Sequence, residues 1–302
     1  MSERQTLSYL QRRFQSAGLQ PRTRYGQNFL IDLNLVELIA RSAELSPRDV
    51  VLEVGTGMGS LTKIMAGRAG HVVTVEVDGE LAELAGEELA SCSNVTLLQT
   101  DALRNKNELS PLVLETIRSK MSEVSGARFK LVANLPYNVA TPILSNLLHV
   151  DPWPQRMVAT IQRELAQRIA ASPRSKDYSA LSVWMQSQCR VEIVRTLPPS
   201  VFWPRPKVES AIIDIRPQRV FRQRIVDVGF FHDLVRKIFL HRRKFLRSAL
   251  LSAVKGILDK AAVDQVLAEM GLTGQERAEE LTPQQMIELV DCVRRNAVRP
   301  PE

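Results

Sequence analysis

Cysteine, histidine and long apolar runs are all scarce in this sequence. Its three cysteines, Cys92, Cys189 and Cys292, lie far apart, and its four histidines share no metal-ligand spacing. An odd number of scattered cysteines favours a reducing compartment over a disulfide framework, and no residue pattern predicts a metal site. No stretch approaches the roughly 20 apolar residues of a membrane span, and the N-terminus lacks the apolar core of a signal peptide. These absences predict a cytoplasmic protein that uses no metal and binds no membrane.

Acidic residues are almost absent from two segments of a chain whose net charge is +7. Residues 1–25 contain five arginines and one acid, and residues 236–247, "RKIFLHRRKFLR", contain six lysines and arginines and no acid. Such clustering favours a polyanionic partner such as nucleic acid, because it creates a local positive potential. Either cluster alone is explained equally well as a solvated basic surface.

Apolar runs rich in β-branched residues alternate with helical patterns from about residue 35 to residue 217. Alternation of strands and helices predicts a mostly parallel sheet that is covered on both faces. No helical pattern separates the last two runs, which we therefore expect to pair antiparallel at one edge. The seven candidate strands are residues 50–54, 72–77, 95–98, 130–133, 157–161, 191–197 and 211–215.

The pattern changes after Pro217, where strand alternation ends and helical spacing alone continues. The segment that begins at Thr282 is typical of a helix N-terminus, with Thr282 as the cap and Gln285 in the capping-box position. The sequence therefore predicts two domains, residues 1–218 and 219–302, with helices in the second at residues 231–251, 261–270 and 283–296.

A glycine-rich loop follows the first candidate strand in "VVLEVGTGMGSLT", residues 50–62. Gly55, Gly57 and Gly59 allow the backbone to turn tightly and let a ligand lie against it. The spacing G-x-G-x-G is one residue shorter than the dinucleotide pattern G-x-G-x-x-G, and the loop lacks the Gly-Lys-Ser/Thr ending of a phosphate loop. The ligand therefore need not carry a pyrophosphate.

Two acids follow the second and third candidate strands. Glu76 lies 21 residues beyond Gly55, where a carboxylate can accept hydrogen bonds from both hydroxyls of a ribose. Asp101 follows "VTLLQT", where a carboxylate can accept a hydrogen bond from an adenine amino group. Open parallel sheets bind ligands at the carboxyl ends of their strands, so these groups predict an adenosyl ligand, S-adenosylmethionine. A flexible turn with two surface acids is the alternative.

The fourth candidate strand ends in "NLPY", residues 134–137, at the same edge of the sheet. Asn134 offers a side-chain carbonyl and Leu135 a backbone carbonyl held by Pro136, and these acceptors can grip the N6 hydrogens of a flipped-out adenine. Tyr137 offers an aromatic face on which that base can stack. The attacked nitrogen becomes strongly acidic as the methyl group arrives, so positioning and electrostatics suffice without a titrating residue. The alternative is a simple turn in which Pro136 ends the strand and Tyr137 packs.

With these motifs in place, the chain resembles the ribosomal RNA adenine dimethylases, in the family's order, over roughly residues 20–295. The resemblance implies a Rossmann-like class I S-adenosylmethionine methyltransferase sheet of seven mostly parallel strands, with a small C-terminal helical domain. The matching segments are "YGQNFLID" (25–32), "LEVGTGMGSLT" (52–62), "VTVEVD" (73–78), "TDAL" (100–103), "NLPYNVATPIL" (134–144), "SKDYSALSV" (175–183), "PPSVFWPRPKVESAI" (198–212) and "RRKFLRSAL" (242–250).

The same resemblance implies further site residues. Asn28 and Leu30 of "GQNFL" would touch the donor, and Phe202 would sandwich the base with Tyr137. Trp203, next to Phe202, is expected to pack in the core instead.

Two features depart from the family's pattern. Residues 104–128 form a longer, charged connection that we expect to add a surface helix rather than chemistry. Ser248 stands where the family pattern has asparagine, which affects that one contact only.

The basic helical segment is the expected RNA-binding surface. Over residues 234–250 the apolar side chains, Phe245 among them, follow helical spacing, and the cations fall largely on the other side. No acid of the segment pairs with them, so they are expected to hold phosphates. The predicted RNA-binding residues are Arg236, Lys237, Arg243, Lys244 and Arg247.

The resemblance implies the transfer of two methyl groups to N6 of each of two adjacent adenosines near the 3′ end of small-subunit rRNA. The partner would be that rRNA in an assembling 30S-type particle, and the enzyme a monomer. The alternatives are a large-subunit rRNA methylase of the macrolide-resistance type, an assembly factor that acts mainly by binding, and a small-molecule methylase. The segments "PKVESA" and "RRKFLRSAL" favour the small-subunit type, and the basic clusters disfavour a small-molecule substrate.

Overall fold

The computed structural model describes residues 6–22 and 25–297. Its strands are β1 (Phe29–Leu30), β2 (Asp49–Val54), β3 (His71–Glu76), β4 (Val95–Gln99), β5 (Leu103–Asn105), β6 (Glu108–Leu109), β7 (Arg128–Asn134), β8 (Arg156–Gln162), β9 (Cys189–Leu197), β10 (Phe202–Trp203) and β11 (Ser210–Pro217). Its helices are α1 (Leu7–Ser16), α2 (Leu33–Ser42), α3 (Ser60–Ala66), α4 (Gly79–Leu89), α5 (Pro111–Glu123), α6 (Ala140–Asn146), α7 (Arg163–Ile169), α8 (Ala180–Gln186), α9 (Arg219–Arg222), α10 (Val228–Phe239), α11 (Leu246–Ala253), α12 (Lys260–Glu269) and α13 (Pro283–Ala297).

A seven-stranded sheet of order β4-β3-β2-β7-β8-β11-β9 forms the centre of the fold. Strands β4, β3, β2, β7 and β8 run parallel, and β11 runs antiparallel to β8. The continuous apolar runs explain this architecture: β2 is buried at every position, as expected for a strand covered on both faces. The predicted mostly parallel sheet is confirmed, and its last two strands lie side by side at one edge.

The parallel strands end together at one edge of the sheet. Glu76 pairs in register with Gln99, the last residue of β4, and Asn134 pairs with Thr160 of β8. The residues that follow these strands are therefore brought to a common edge, as the strand pattern predicted.

The sequence analysis did not predict two pairs of very short strands. In one, β1 pairs antiparallel with β10, placing Phe29 opposite Trp203 and Leu30 opposite Phe202. The other is the hairpin of β5 and β6. Strands of two or three residues are too short to show an alternating pattern, so they can be recognised only once their partners are in place.

The charged connection at residues 104–128 forms the helix that was expected, but not a purely surface one. Val113 and Ile117 of α5 are fully buried, and the helix packs on β2, β3 and β7. The spacing of four residues between these two side chains places both on one helical face. The connection therefore helps to cover the sheet.

The described residues form two compact units. The sheet unit comprises the described part of Met1–Ala166 together with Glu192–Pro217, and the helical unit comprises Gln167–Val191 together with the described part of Gln218–Glu302. The helical unit thus starts with residues 167–191, which the sequence analysis placed in the first domain. It resumes at Gln218, one residue before the predicted start of the second domain at 219.

Buried aromatic side chains explain why residues 167–191 group with the C-terminal helices. The Trp184 ring lies 6.4 Å from that of Phe231, and the Tyr178 ring lies 6.1 Å from that of Phe239, measured between centroids. The Tyr178 hydroxyl also donates to the Leu281 carbonyl at 2.9 Å. These partners lie about 50 to 100 residues further along the chain, beyond the reach of a local pattern.

The predicted helix over residues 231–251 is wrong in one respect, because the chain breaks into α10 and α11 around residues 240–245. The backbone N–H of Leu246 donates to the Glu276 carbonyl at 2.6 Å, and Phe245 forms an antiparallel bridge with Arg277. Pairing with a distant segment replaces the hydrogen bonds of a continuous helix.

The last two predicted helices are confirmed as α12 and α13. The capping box at α13 forms as expected: the Gln285 N–H donates to the Thr282 hydroxyl at 3.2 Å, and the Thr282 N–H donates to the Gln285 side chain at 3.0 Å. Within the described residues, every helix is too short or too polar to cross a membrane.

Candidate active site

A cavity of about 350 Å³ opens in the sheet unit at the carboxyl ends of β2, β3, β4 and β7. It gathers all the residues predicted to bind the donor and all but one of those predicted to act in catalysis. These lining residues are Asn28, Leu30, Gly55, Gly57, Glu76, Asp101, Asn134, Leu135, Pro136 and Tyr137.

The glycine loop packs closely against Pro136 and Phe29. Gly55 has φ +86° and Gly57 has φ +56°, in the left-handed region that favours glycine. A Cβ atom at Gly55 would lie 3.2 Å from two ring carbons of Pro136, and one at Gly57 would lie 3.2 Å from the Phe29 ring. Any side chain at these positions would therefore disturb the cavity wall as well as strain the backbone.

Glu76 is buried at the end of β3 and is tied to the glycine loop. Its Oε2 accepts from the Gly57 N–H and its Oε1 accepts from the Asp78 N–H, each at 3.1 Å. Burial raises the pKa of this carboxyl, and the backbone N–H donors of Asp78, Gly57 and Val77 act against that shift. The carboxylate keeps acceptor capacity beyond these donors, so it can also accept a hydrogen bond from a ribose hydroxyl.

Asp78 follows the end of β3 and Asp101 follows the end of the neighbouring strand β4, and the two carboxylates have different partners. Asp101 is exposed at the cavity, and its Oδ1 accepts from the Leu103 N–H at 2.9 Å, which leaves Oδ2 to face a ligand. Asp78 binds the N-terminal segment instead, accepting from Arg22 and from Gln27, both at 3.1 Å. This second carboxylate therefore positions the chain that carries Asn28.

The amide of Asn134 has a defined orientation. Its Nδ2 donates to the backbone carbonyl of Asn28 at 2.9 Å, and a carbonyl can only accept, so the nitrogen must face it. The Asn134 Oδ1 is thereby directed away from Asn28. Within the described residues, neither this oxygen nor the backbone carbonyl of Leu135 accepts a hydrogen bond. Two acceptor oxygens of residues that line the cavity thus have no donor among the described residues, and their role towards an adenine stays a prediction.

Tyr137 is held at its hydroxyl end. Its oxygen lies 2.5 Å from the hydroxyl of Ser210, a fully buried residue at the start of β11. Burial raises the pKa of the tyrosine hydroxyl, which therefore stays protonated. A half-buried ring fixed at its tip can offer a face to a ligand without losing its orientation.

Phe202 is the predicted catalytic residue that the structure does not bring to the cavity. Its side chain is 3% exposed and belongs to the core cluster with Leu30, Val36 and Ile39. The pairing of β10 with β1 turns Phe202 inward, and the next residue, Trp203, packs near the rings of Phe14 and Phe29. The expected sandwich with Tyr137 is therefore absent from this arrangement.

The sequence analysis did not single out Glu53, a buried carboxyl beneath the glycine loop. Glu53 Oε2 accepts from the hydroxyls of Thr62 and Thr74 at 2.5 and 2.7 Å, and Thr74 also contacts Thr56 at 2.7 Å. Burial raises the pKa of Glu53 to about 8, and the neighbouring Glu76 adds to that rise. An acid within an otherwise apolar strand was the available signal for this network.

The arginines of the N-terminal basic cluster that the structure describes are engaged within the protein. Arg13 donates to Glu87 at 2.7 Å, Arg22 pairs with Asp78 and Glu80, and Arg12 also has a partner. The other two arginines of the cluster lie outside the described residues. The three described arginines therefore have partners, and contact of this cluster with a polyanion stays a prediction.

The second basic cluster divides into exposed and paired members. Arg236, Lys237, Arg243 and Lys244 are exposed, and none of the four forms an ion pair with a described residue. Arg247 instead donates to both oxygens of Asp264, at 2.6 and 2.8 Å. The segment itself contains no acid, as the sequence showed, but an acid of α12 pairs with Arg247.

In the part of the chain that the structure describes, no group of three or more His, Cys, Asp or Glu side chains comes together in a way that could hold a metal ion.

The mostly parallel sheet, the glycine loop and the carboxylate at the end of β3 define a class I methyltransferase. A family model described as ribosomal RNA adenine dimethylase matches residues 18–294. The chain belongs to this family, as the sequence motifs indicated.

Curated relatives agree with this assignment. The chain is 40% identical over 261 residues to the ribosomal RNA small subunit methyltransferase A of Halothermothrix orenii, covering 86% of this chain and 84% of that protein. It is 38% identical over 269 residues to the protein of the same name from Clostridium botulinum strain Okra, covering 89% and 92%.

Two crystal structures share the fold. A dimethyladenosine transferase from Plasmodium falciparum has a TM-score of 0.72 at 22% identity, covering 85% of this chain and 94% of that chain. The 23S rRNA methyltransferase ErmE has a TM-score of 0.61 at 25% identity, covering 88% and 99%.

Proposed function

We propose that this protein transfers methyl groups from S-adenosylmethionine to N6 of two adjacent adenosines near the 3′ end of small-subunit rRNA, dimethylating each one. The observation that carries this proposal is the oriented amide of Asn134 in the same cavity as the glycine loop and Glu76. The choice of the small subunit is supported by the names of relatives at 38–40% identity.

The residues of the cavity fit S-adenosylmethionine, whose sulfonium supplies an activated methyl group. Glu76 would accept both ribose hydroxyls, and Asp101 would accept from the adenine amino group through Oδ2. Gly55 and Gly57 would allow the ligand to lie against the backbone, and Asn28 and Leu30 would complete the wall.

The target adenine would enter beside Asn134. Its two N6 hydrogens would be held by Asn134 Oδ1 and by the Leu135 carbonyl, which Pro136 keeps in place. These bonds draw the nitrogen towards tetrahedral geometry and direct its lone pair at the methyl group. The base would stack on Tyr137, whose ring is fixed by Ser210.

The alternative of a large-subunit methylase has weaker support. ErmE is 25% identical to this chain, whereas the relatives named as small-subunit enzymes reach 38–40% over a similar share of it. An assembly factor that acts mainly by binding would not need an oriented Asn134 amide or a cavity lined with adenosyl-binding groups.

The direct test is methyl transfer to rRNA. Labelled S-adenosylmethionine is incubated with the protein and, in separate reactions, with unmodified small subunits and unmodified large subunits. One part of the rRNA is digested to nucleosides, and another part is mapped by primer extension, which stops at N6,N6-dimethyladenosine. Labelled N6,N6-dimethyladenosine at two adjacent positions is the expected product. Label in large-subunit rRNA alone would favour the macrolide-resistance type, and binding without label would favour the assembly factor.

The remaining parts of the proposal concern the setting of the reaction. We expect the enzyme to act as a monomer in the cytoplasm on an assembling 30S-type particle and to link methylation to ribosome assembly. Sedimentation of the protein alone and with such particles would test the oligomeric state and the partner together.

Replacing Glu76 with alanine is expected to weaken donor binding about ten- to a hundredfold, because the ribose hydroxyls lose a charged acceptor. Calorimetric titration with S-adenosylmethionine and with its demethylated product measures the effect. Glu83→Ala is the matched control, because Glu83 is an exposed acid of α4 and its loss removes the same charge. An unchanged dissociation constant for Glu76→Ala would rule out the assigned role.

Replacing Arg243 and Lys244 with glutamine is expected to weaken RNA binding and to flatten its dependence on salt. Each phosphate contact contributes about 0.7–0.9 to the slope of log affinity against log salt, so the slope should fall by about 1.4–1.8. Arg247 is left intact because its loss would break the ion pair with Asp264.

The control for this pair is Lys255→Gln with Lys260→Gln, which removes two exposed charges of the same unit outside the turn between α10 and α11, residues 240–245. Binding to small-subunit rRNA is measured at several salt concentrations, and donor binding is measured alongside. If both double variants show the wild-type slope, the turn does not touch phosphate.

A further inference from the structure

The turn between α10 and α11, residues 240–245, presents apolar and cationic side chains to solvent together. Leu240 is 77% exposed and Phe245 is 56% exposed, and Arg243 and Lys244 are exposed between them. Every aromatic residue of the chain lies in the described part, and Phe245 is the only one of them that is largely exposed. A ring kept in water beside unpaired cations points to a partner with both apolar faces and negative charge.

The start of the turn is anchored to the rest of the helical unit. Arg242 points inward, pairing with Glu279 and donating through Nη2 to the Ser175 carbonyl at 3.1 Å. The Lys244 N–H closes the turn by donating to the His241 carbonyl at 2.8 Å. Three consecutive basic residues thus have two different roles. Arg242 holds the turn in place, whereas Arg243 and Lys244 face solvent.

The end of the turn is equally constrained. Phe245 bridges to Arg277, and the Leu246 and Arg247 N–H groups donate to the Glu276 and Gly274 carbonyls at 2.6 and 3.1 Å. The backbone of Phe245 is thus held between a turn and a paired segment. A ring on a fixed backbone loses little conformational freedom when it binds a flat partner.

We propose that this turn is a stacking subsite for an unpaired RNA base, with the base on the ring of Phe245 and the flanking phosphates on Arg243 and Lys244. The inference rests on the proposed function, which makes RNA the partner. Charge complementarity selects RNA, because every nucleotide offers a flat apolar face together with a negative phosphate. Bases within a duplex have their faces covered, so the subsite requires an unpaired nucleotide.

The experiment compares binding of a short oligouridylate with binding of an RNA duplex of the same length. Phe245→Ala and Phe245→Leu are expected to weaken oligouridylate binding roughly fivefold to a hundredfold, and Phe245→Trp is expected to retain it. Binding of the duplex should stay unchanged in all three variants. The salt slope should also stay unchanged in Phe245→Ala, because no charge is lost.

Three results would overturn the subsite. Wild-type affinity in Phe245→Ala would show that the ring makes no contact, and full recovery in Phe245→Leu would show an apolar contact of the kind made with proteins. Equal losses of affinity for oligouridylate and for the duplex would show that no base stacks on the ring. Because Phe245 is exposed and lies outside the core, the melting temperature of each variant should match that of the wild type. Retained binding in Phe245→Trp would show that the turn is intact.

Failure of this inference can be told apart from failure of the proposed function. If the wild-type protein methylates rRNA and Arg243→Gln with Lys244→Gln weakens RNA binding, an unaffected Phe245→Ala overturns the stacking subsite alone. If the wild-type protein methylates no rRNA, the proposed function fails, whatever the Phe245 variants do.

Discussion

Replacing Asn134 with alanine is expected to slow methyl transfer about 10²–10³-fold at saturating donor, which corresponds to roughly 2.7–4 kcal/mol of transition-state stabilisation. The variant loses the acceptor Oδ1, one of the two oxygens that would hold the N6 hydrogens of the target adenine. The measurement is single-turnover transfer from labelled S-adenosylmethionine to unmodified small subunits. Donor affinity is expected to change little, since the ribose and adenine contacts of the donor come from Glu76 and Asp101.

The controls separate chemistry from structure. Asn134 also donates to the Asn28 carbonyl, so the variant loses one hydrogen bond of the cavity wall, and calorimetry with the donor reports any effect of that loss. Asn107→Ala, in the exposed β5–β6 turn, removes an amide of the same kind away from the cavity. If Asn134→Ala transfers methyl groups within about threefold of the wild-type rate, Asn134 is a structural residue and the mechanism of amine gripping is wrong.

Replacing Glu53 with glutamine is expected to remove a dependence of stability on pH. The pKa of Glu53 in the fold is about 8, above the ordinary value of 4.5, so the folded state binds a proton that the unfolded state has lost between these values. Its contribution is therefore fully present below about pH 4.5 and is lost as the pH rises through about 8. The free energy of unfolding should fall by up to about 1.4 kcal/mol for each pH unit in this window.

Glutamine cannot ionise, yet it keeps the volume of Glu53 and can still accept from the hydroxyls of Thr62 and Thr74. Urea unfolding of wild type and Glu53→Gln at a series of pH values should therefore give curves that converge at low pH and diverge as the pH rises. Glu83→Gln, at an exposed acid that forms no ion pair with a described residue, should follow the wild type. Parallel curves for wild type and Glu53→Gln would mean that Glu53 is ionised in the fold and that its pKa is not raised.

The two carboxyls near the glycine loop illustrate how environment assigns protonation. Glu53 is bound by two threonine hydroxyls and is otherwise enclosed, whereas Glu76 accepts backbone N–H groups from Gly57 and Asp78. Both sets of donors favour the charged form, but burial outweighs them: it raises the pKa of Glu53 to about 8, and it also raises the pKa of Glu76.

Much of the candidate site could be predicted because its signals are local. The glycine spacing at residues 55–59, the acid 21 residues beyond Gly55 and the polar break at residues 134–137 each follow directly from the strand pattern. In a parallel sheet the strand ends meet at one edge, so recognising the strands was enough to predict that these groups line one cavity.

The missed features all depend on partners that lie far away in the sequence. Phe202 faces the core because a two-residue strand pairs with Phe29–Leu30, and Arg247 is neutralised by an acid of another helix. The break between α10 and α11 arises from pairing with residues 274–277. No periodicity within a short window carries this information.

The sequence by itself determined the class of sheet, the edge at which the ligand groups meet, and the kind of chemistry that those groups support. Periodicity, glycine spacing and strand ends act over a few residues, so they can be read without knowing what packs against them. Tertiary structure alone decided the orientation of the Asn134 amide, the burial of Glu53 and the exposure of Phe245. A distant segment supplies the hydrogen-bond partner of the Asn134 amide, excludes water from Glu53, and pairs with the backbone at Phe245 in place of a continuous helix. These contacts exist only once the chain has folded.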